Sequence, residues 1–311
     1  MAKVWAIAFN TFKEAVRNRI LYILLIFAIV LLLFSGLARE LTISAHEKII
    51  RSLGLGCINI FGLLIAVFVG IGLVYNELDK KTIYTIISKP IDRWQFILGK
   101  YFGLLLTIYV NILIMTLFFY FSLYWQTFMG SDALAKVYAA YPPGQAPGAL
   151  HQMGYCGWSV LRSLGLTLKT LCFFPDQVTA DLQIVVVMTC LELAIITAFA
   201  VLYSSFSTPT LSAILTVFTF VVGRGNEDII RYTWYLERKG LTSTAAIVKY
   251  HGAQFVAHLA PNLKIFYSDT CNAALSNPPV IVDYYAIAYA AIYSALILSL
   301  AVLIFRRRNF K

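Results

Sequence analysis

Long uncharged segments alternate with short basic ones along most of the chain. A helix needs about 20 residues to cross a hydrocarbon core of about 30 Å, and six segments are long and apolar enough. The fourth contains one charge, Glu192, and the fifth is the shortest and carries Pro209 near its start. The pattern predicts an all-α integral membrane protein with transmembrane helices at about 20–38, 53–75, 101–125, 182–206, 207–223 and 284–305.

The segment before the first span has a different pattern. Val4, Ala8 and Phe12 recur at helical spacing, while charged residues such as Lys13 fall on other faces. Such a helix is suited to lie in the membrane interface, although an ordinary helix packed on its own protein would give the same pattern. We therefore expect an interfacial amphipathic helix at 1–19 and a single six-span domain at 20–311.

Composition agrees with a membrane protein. The 311 residues are 60% hydrophobic and only 13% charged, whereas soluble domains carry about 25% charge. The net charge of +10 raises the question of nucleic acid. Its basic residues flank apolar segments instead of lining one face, which argues against that partner and favours membrane lipids as the surroundings.

Charge also predicts the orientation of the chain. The N-terminal segment, the 76–100 loop and the C-terminal tail are short, yet they hold thirteen of the 25 Lys and Arg. Positively charged loops stay in the cytoplasm. Both termini and the 76–100 loop are therefore expected to be cytoplasmic, with 126–181 and 224–283 outside.

The stretch between the second and third spans carries eight charges in its 27 residues, 75–101. Its apolar run at 83–87 is too short to span a membrane. Asp92 and Gln95 have the spacing of a helix start. From Arg93 the helical pattern continues to the end of the third span, roughly 50 Å, so this helix should project from the membrane. We expect a rigid hairpin that serves as a docking surface.

Gly99 and Gly103 form a GxxxG motif where this helix enters the membrane. GxxxG lets two helices approach closely. The motif is common, and a chance occurrence remains open.

Several motifs resemble the permease subunits of ATP-binding cassette (ABC) exporters. They are FKEAVRNRILY near the N-terminus, NELDKKTIYTIISKPIDRWQFILGK after the second span, and SSFSTPTLSAILTVFTFVVGR after the fourth. The resemblance is to the type-2 permease family that includes the multicopper-enzyme-maturation, or nitrous-oxide-reductase accessory, branch. It covers the six-span layout, whereas 126–181 and 225–283 match nothing we can name.

The resemblance implies that the 76–100 loop contains a coupling helix that seats in a groove of a separate ATPase subunit. It implies an exporter in a prokaryotic plasma membrane, formed by two copies of this chain and two ATPase subunits. The residues that carry the docking role would be Glu77, Lys80, Lys81, Thr82, Ile83, Ile86, Ile87, Ser88, Pro90 and Arg93.

The chain itself has no GxxxxGK[ST] phosphate-binding motif. ATP and Mg²⁺ are therefore expected on the partner subunit, with no cofactor and no bond chemistry on this chain.

Charged residues in or near the spans are candidates for the transport pathway. A charge such as Glu192 in the fourth span costs roughly 2.5–3.5 kcal/mol on insertion scales. It is either a pathway or gate residue or a structural hydrogen-bonding group, and the sequence does not separate these. After the fifth span, Arg224 with Asp228 and Glu227 with Arg231 have the i,i+4 spacing of ion pairs. They are pathway candidates too, or simply the solvated face of a helix.

Neither the cysteines nor the histidines predict a metal site, because their spacing does not suit one. A disulfide among Cys156, Cys172 and Cys271 stays open, since all three are expected outside.

Two alternatives to a transport subunit remain. One is a membrane-embedded enzyme acting on a lipid-like substrate, which would need polar catalytic residues clustered at one membrane face. The other is a scaffold that recruits a cytosolic partner through the 76–100 loop. The transported substrate is not readable from apolar spans.

Overall fold

The computed structural model describes residues 2–40, 46–79, 92–129, 149–172, 177–239, 244–267, 270–271 and 284–307. Regular secondary structure in these ranges is α-helical. The helices are α1 (Ala2–Val16), α2 (Arg19–Glu40), α3 (His46–Asp79), α4 (Arg93–Met129), α5 (Ala149–Cys172), α6 (Gln177–Phe206), α7 (Pro209–Arg224), α8 (Asn226–Lys239), α9 (Thr244–Leu259) and α10 (Tyr284–Arg307).

Four of the described helices are long and apolar enough to cross a membrane, in α3, α4, α6 and α10. A fifth candidate is the pair α1 and α2, which pass the same test together but are bent by 65°. For the described residues, the prediction of an all-α protein with several helices long and apolar enough to span a membrane is thus confirmed. The α7 helix has 16 residues, about 24 Å, which is short of a bilayer core. The six-span layout therefore stays a prediction.

The bend between α1 and α2 falls at Asn18. Its side-chain Oδ1 accepts a hydrogen bond from the backbone N–H of Ile20 at 3.0 Å. Asparagine is a preferred residue at a helix N-cap, because its side chain accepts a hydrogen bond from a backbone N–H that the first turn leaves without a partner. The break separates α1 from the apolar α2, close to the boundary that the sequence predicts at residue 19.

The centre of the bundle is formed by α3 and α6. Each has 72% of its most apolar window buried inside the protein, against 56% for α4 and 22% for α10. Large side chains such as Ile65, Leu104 and Tyr120 are buried in this core. In contrast, most of α10 faces outward.

Helix α4 begins where the sequence predicts. The backbone N–H groups of Gln95 and Phe96 donate to the carbonyl of Asp92, and the Gln95 side-chain amide donates to the Asp92 carboxylate at 3.1 Å. The helix then continues for 37 residues, about 55 Å. This length exceeds the thickness of a bilayer core, as the sequence predicts for this helix.

Three helix ends meet at the same end of the bundle. The Lys100 ammonium of α4 lies 3.8 Å from the Glu14 carboxylate of α1. The rings of Phe96 in α4 and Phe305 in α10 stack, with centroids 6.1 Å apart. Helix α1, the start of α4 and the end of α10 therefore lie together, beside the point where the chain leaves residues 80–91.

Helix α5 packs its polar side on α4. The Tyr124 hydroxyl of α4 lies 2.7 Å from the Thr170 hydroxyl of α5, and Trp158 and Leu161 point outward. This distribution suits a helix between protein and lipid, since small hydroxyl side chains allow close helix contact. The buried hydroxyl residues on this side are Ser159, Ser163, Thr167 and Thr170.

Candidate functional site

Glu192 lies near the middle of the apolar part of α6, between Ala180 and Phe206. Its carboxylate is fully buried. A buried charge requires a partner, because neither lipid nor an apolar core can solvate it. The structure supplies two partners, one from α7 and one from α3.

Arg224, the last residue of α7, is the first partner. Its Nε donates to Glu192 Oε1 at 2.9 Å, and one terminal nitrogen, Nη2, donates to Oε2 at 3.0 Å. This two-point contact between a planar guanidinium and a carboxylate is the strongest form of protein ion pair. It fixes the end of α7 against the middle of α6.

Asn59 of α3 completes the cluster. Its side-chain amide donates to Glu192 Oε2 at 2.8 Å, and its Oδ1 accepts a hydrogen bond from Arg224 Nη2 at 2.8 Å. Asn59 also lies near the middle of an apolar span, Ile50–Gly72. We call Asn59, Glu192 and Arg224 the charged cluster. It joins three helices by a closed ring of hydrogen bonds.

Two aromatic rings lie against the Arg224 guanidinium. Its central carbon lies 4.5 Å from the Phe220 ring centre and 4.6 Å from that of Tyr267. Cations are attracted to the faces of aromatic rings, and more strongly where water is excluded. The Arg224 side chain is 26% exposed, whereas that of Glu192 is fully buried. The cluster therefore has one face that remains accessible.

The position of the cluster halfway along α6 follows from the antiparallel packing of α6 and α7. Only Ser207 and Thr208 separate the two helices, and the Tyr203 hydroxyl of α6 lies 2.8 Å from that of Thr219 in α7. Counting back from the turn, Glu192 and Arg224 are at similar distances along their helices. Helix α7 therefore ends about halfway along α6.

The segment that follows α9 packs against the end of α7. The carbonyl of Gly223 accepts a hydrogen bond from the backbone N–H of Leu263 at 3.0 Å. The Asn226 amide donates to the carbonyls of Ala257 and Ala260, at 3.1 Å each. Helices α8 and α9 thus form a hairpin whose base is tied to the end of α7, directly beside Arg224.

A second charged group lies at this base. Glu227 of α8 accepts a hydrogen bond from Lys264 Nζ at 2.6 Å and lies 3.7 Å from Arg231 Nη2. The hydrogen bond from Lys264 holds the pKa of Glu227 below its usual value. Of the two i,i+4 pairs that the sequence suggests, Glu227–Arg231 is present, whereas Arg224 pairs with Glu192. Asp228 is exposed.

The two glycines of the GxxxG motif lie against α1. A Cβ atom at Gly99 would come within 2.7 Å of the Ile7 side chain, and one at Gly103 within 2.5 Å of the Ala8 carbonyl oxygen. Real Cβ atoms do not approach so closely, so only glycine permits this contact. We call this contact the α1–α4 joint.

Most of the predicted docking residues lie outside the described residues. These are Lys80, Lys81, Thr82, Ile83, Ile86, Ile87, Ser88 and Pro90. The backbones of Glu77 and Arg93 are helical, at the end of α3 and the start of α4. The docking role of the loop accordingly stays a prediction.

The cysteines add no site within the described part of the chain. Cys57, Cys190 and Cys271 are free thiols, and no group of metal-ligating side chains is found there. The side chains of Cys156 and Cys172 fall outside the description. A disulfide between those two stays open.

Sequence reasoning missed Asn59, Lys264 and Tyr267. An amide in a span without charges was a usable signal for Asn59, because a buried amide also needs a partner. Lys264 and Tyr267 carried no such signal. They fall in a loop between predicted elements, and their roles depend on its path past the end of α7.

Comparison of the sequence with protein-family models and with curated proteins gives no match. What the chain does has to be inferred from its own residues and their geometry.

Proposed function

We propose that the chain is the permease subunit of an ABC exporter in the plasma membrane of a prokaryote. Two copies would form the pathway, and two separate ATPase subunits would bind ATP and Mg²⁺ and dock on the cytoplasmic 76–100 loop. The chain would perform no bond chemistry. Its task would be to convert movement of the loop into movement of the spans.

The observation that supports this proposal is the α1–α4 joint. The segment 80–91 leads directly into α4, and α1 crosses the first turns of α4 with backbone-level contact at Gly99 and Gly103. The buried Lys100 ammonium and the Glu14 carboxylate, 3.8 Å apart, add an ion pair to the contact. A displacement of the loop would move α4 and α1 together, because their backbones are in direct contact at Gly99 and Gly103.

The charged cluster is proposed as the gate in the same mechanism. Three helices meet in it, and α7 ends there at mid-span. Packed interfaces that have two discrete arrangements are the usual carriers of such transitions. The Glu192–Arg224 pair would stabilise one arrangement, while the accessible face of Arg224 offers a place for new contacts in the other.

Co-purification with a candidate ATPase tests the docking proposal. The chain is co-expressed with candidate ABC ATPases, in wild-type form and with Arg93→Glu or Glu77→Lys at the helix ends that flank the loop. We expect a stable complex for the wild type and loss of the complex or of its ATP turnover for the variants. Lys169→Glu, a charge reversal on the exposed side of α5, is the matched control and should leave both unchanged.

Two results would contradict the proposal in different ways. Absence of a complex with any ABC ATPase would exclude the exporter function and favour a membrane-embedded enzyme or a scaffold. An intact complex whose ATP turnover is the same in wild type and charge-reversal variants would retain the exporter but move the docking surface away from the 76–100 loop.

A further inference from the structure

A long apolar groove opens between α4 and α10, with α6 as its floor. Its volume is about 820 Å³, and its lining on α10 extends from Ile287 to Leu303. At 1.5 Å per residue, that stretch is about 24 Å long, whereas one leaflet of hydrocarbon is about 15 Å thick. The groove is long enough for an extended acyl chain.

The groove is lined mainly by apolar side chains, and its polar lining residues are Trp94, Ser294, Ser299 and two tyrosines. The hydroxyls of Tyr101 and Tyr109 donate to the carbonyls of Ala194 and Cys190 in α6, at 3.3 Å each. Small residues on α10, among them Ala295, leave the space open. Such a lining suits hydrocarbon and disfavours a polar ligand, which would lose its hydration without compensation.

A second, smaller groove lies on the other side of the same ridge of α4. It has a volume of about 250 Å³ and is lined by Trp5 and Phe9 of α1. Three α4 side chains, Phe102, Leu105 and Tyr109, line both grooves. The ridge thus has an apolar groove on each side. Two apolar grooves side by side match a molecule with two acyl chains.

Cationic side chains lie beside both grooves. Arg306 is exposed and follows Leu303 by three residues, which places it on the same face of α10. This is the end where Trp94 lines the groove, and Trp is enriched at membrane interfaces. Beside the second groove, Lys13 Nζ lies 4.7 Å from the Phe9 ring centre. Basic pockets between membrane helices bind anionic lipid head groups.

We propose that the two grooves form one binding site for an anionic, two-chain phospholipid. One acyl chain lies between α4 and α10, the other lies beneath α1, and the head group faces Arg306 and Lys13. The charge of these residues selects the anionic head group. The existence of this site does not depend on the exporter proposal.

Native mass spectrometry of the purified chain tests the site. The protein is equilibrated with mixed micelles of equal phosphatidylglycerol and phosphatidylcholine. We expect one phosphatidylglycerol to be retained per chain. Arg306→Gln should lower the preference for phosphatidylglycerol about fivefold, since a basic residue near the membrane surface contributes about that factor. Free glycerol phosphate should not compete, because the acyl chains supply most of the binding.

Ala295→Phe fills the larger groove and should reduce lipid retention at least about tenfold. Ala288→Phe is the matched control, an identical change on an exposed part of α10 that does not line the groove, and should retain the lipid. Equal retention of the two lipids by the wild type would overturn the proposal even if Ala295→Phe does not fold. So would unchanged retention in Ala295→Phe, or a second copy of the chain found in place of the lipid.

Discussion

The α1–α4 joint and the charged cluster both fix a helix, but by opposite means. In the joint, glycines bring two helix backbones together, and the contact depends on the absence of side chains. In the cluster, three long polar side chains reach across the gaps between α3, α6 and α7. Two helix backbones in direct contact can pack in only one arrangement, whereas hydrogen-bonded side chains can exchange one partner for another. The first suits a part that transmits movement, and the second a part that switches.

The largest expected effect comes from breaking the cluster. Arg224→Ala would leave the Glu192 charge buried beside Asn59 alone, and removal of one member of a buried ion pair costs about 3–5 kcal/mol. Thermal unfolding in detergent should show this loss.

The double variant Glu192→Leu, Arg224→Met tests its cause. Replacing both charges with apolar groups of similar size is often nearly neutral, so we expect most of the stability to return. A double variant as unstable as Arg224→Ala would mean that packing, not the buried charge, makes the cluster important.

Gly103→Ala should have the next largest effect. The added Cβ would meet the Ala8 carbonyl oxygen at 2.5 Å, and we expect a loss of about 1–3 kcal/mol from overpacking. The α1 helix should also become more susceptible to proteolysis.

Gly72→Ala is the matched control, because nothing lies within 4 Å of a Cβ at that helical glycine. It should be neutral or stabilising by up to about 1 kcal/mol, since alanine favours the helix. If Gly103→Ala and Gly72→Ala changed the stability by the same amount, the backbones of α1 and α4 would not be in direct contact at Gly103.

Asn59→Ala removes the neutral member of the cluster. It deprives both Glu192 and Arg224 of one hydrogen bond but leaves the ion pair intact. We expect a loss of about 1–2 kcal/mol, smaller than for Arg224→Ala, because the remaining groups stay charge-balanced. If the loss in thermal stability matched that of Arg224→Ala, the ring of hydrogen bonds would act as one unit.

The smallest effect should be the pH dependence from Glu227. Its pKa is lowered in the folded protein, so its contribution to stability is complete above the unfolded pKa of about 4.3. The contribution is lost as the pH falls through the lower folded value. Wild type should therefore be more stable than Glu227→Gln at pH 6, and the gap should close towards pH 3. A gap in melting temperature that is constant with pH would contradict this linkage.

The sequence carried a local signal for the joint, the GxxxG motif, although it left chance open and did not identify α1 as the partner; the cluster carried only the signal of a charge in a span. Helical spacing, the helix start at Asp92 and the GxxxG motif are local patterns, readable over a few residues. The cluster joins Asn59 and Glu192, which are 133 positions apart in the chain. A charge in a span indicates that another residue pairs with it. Which helix supplies that residue is determined only by the fold.

The same limit explains the ambiguity of α7. An apolar run with Pro209 at its start predicts a helix, and the helix is present. Whether it spans the membrane depends on where Arg224 is held. That position is set by Glu192 on another helix and by the packing of Leu263 against Gly223.

In the proposed exporter, nucleotide binding to a docked ATPase moves the α1–α4 joint relative to the charged cluster. The direct measurement is the distance between spin labels at Phe9→Cys on α1 and Phe218→Cys on α7, both exposed, in a background without native cysteines. We expect the distance distribution in the ATPase complex to shift on trapping with ATP, and Gly103→Ala to weaken the shift. An identical distribution with and without ATP, in a complex that hydrolyses ATP, would contradict it.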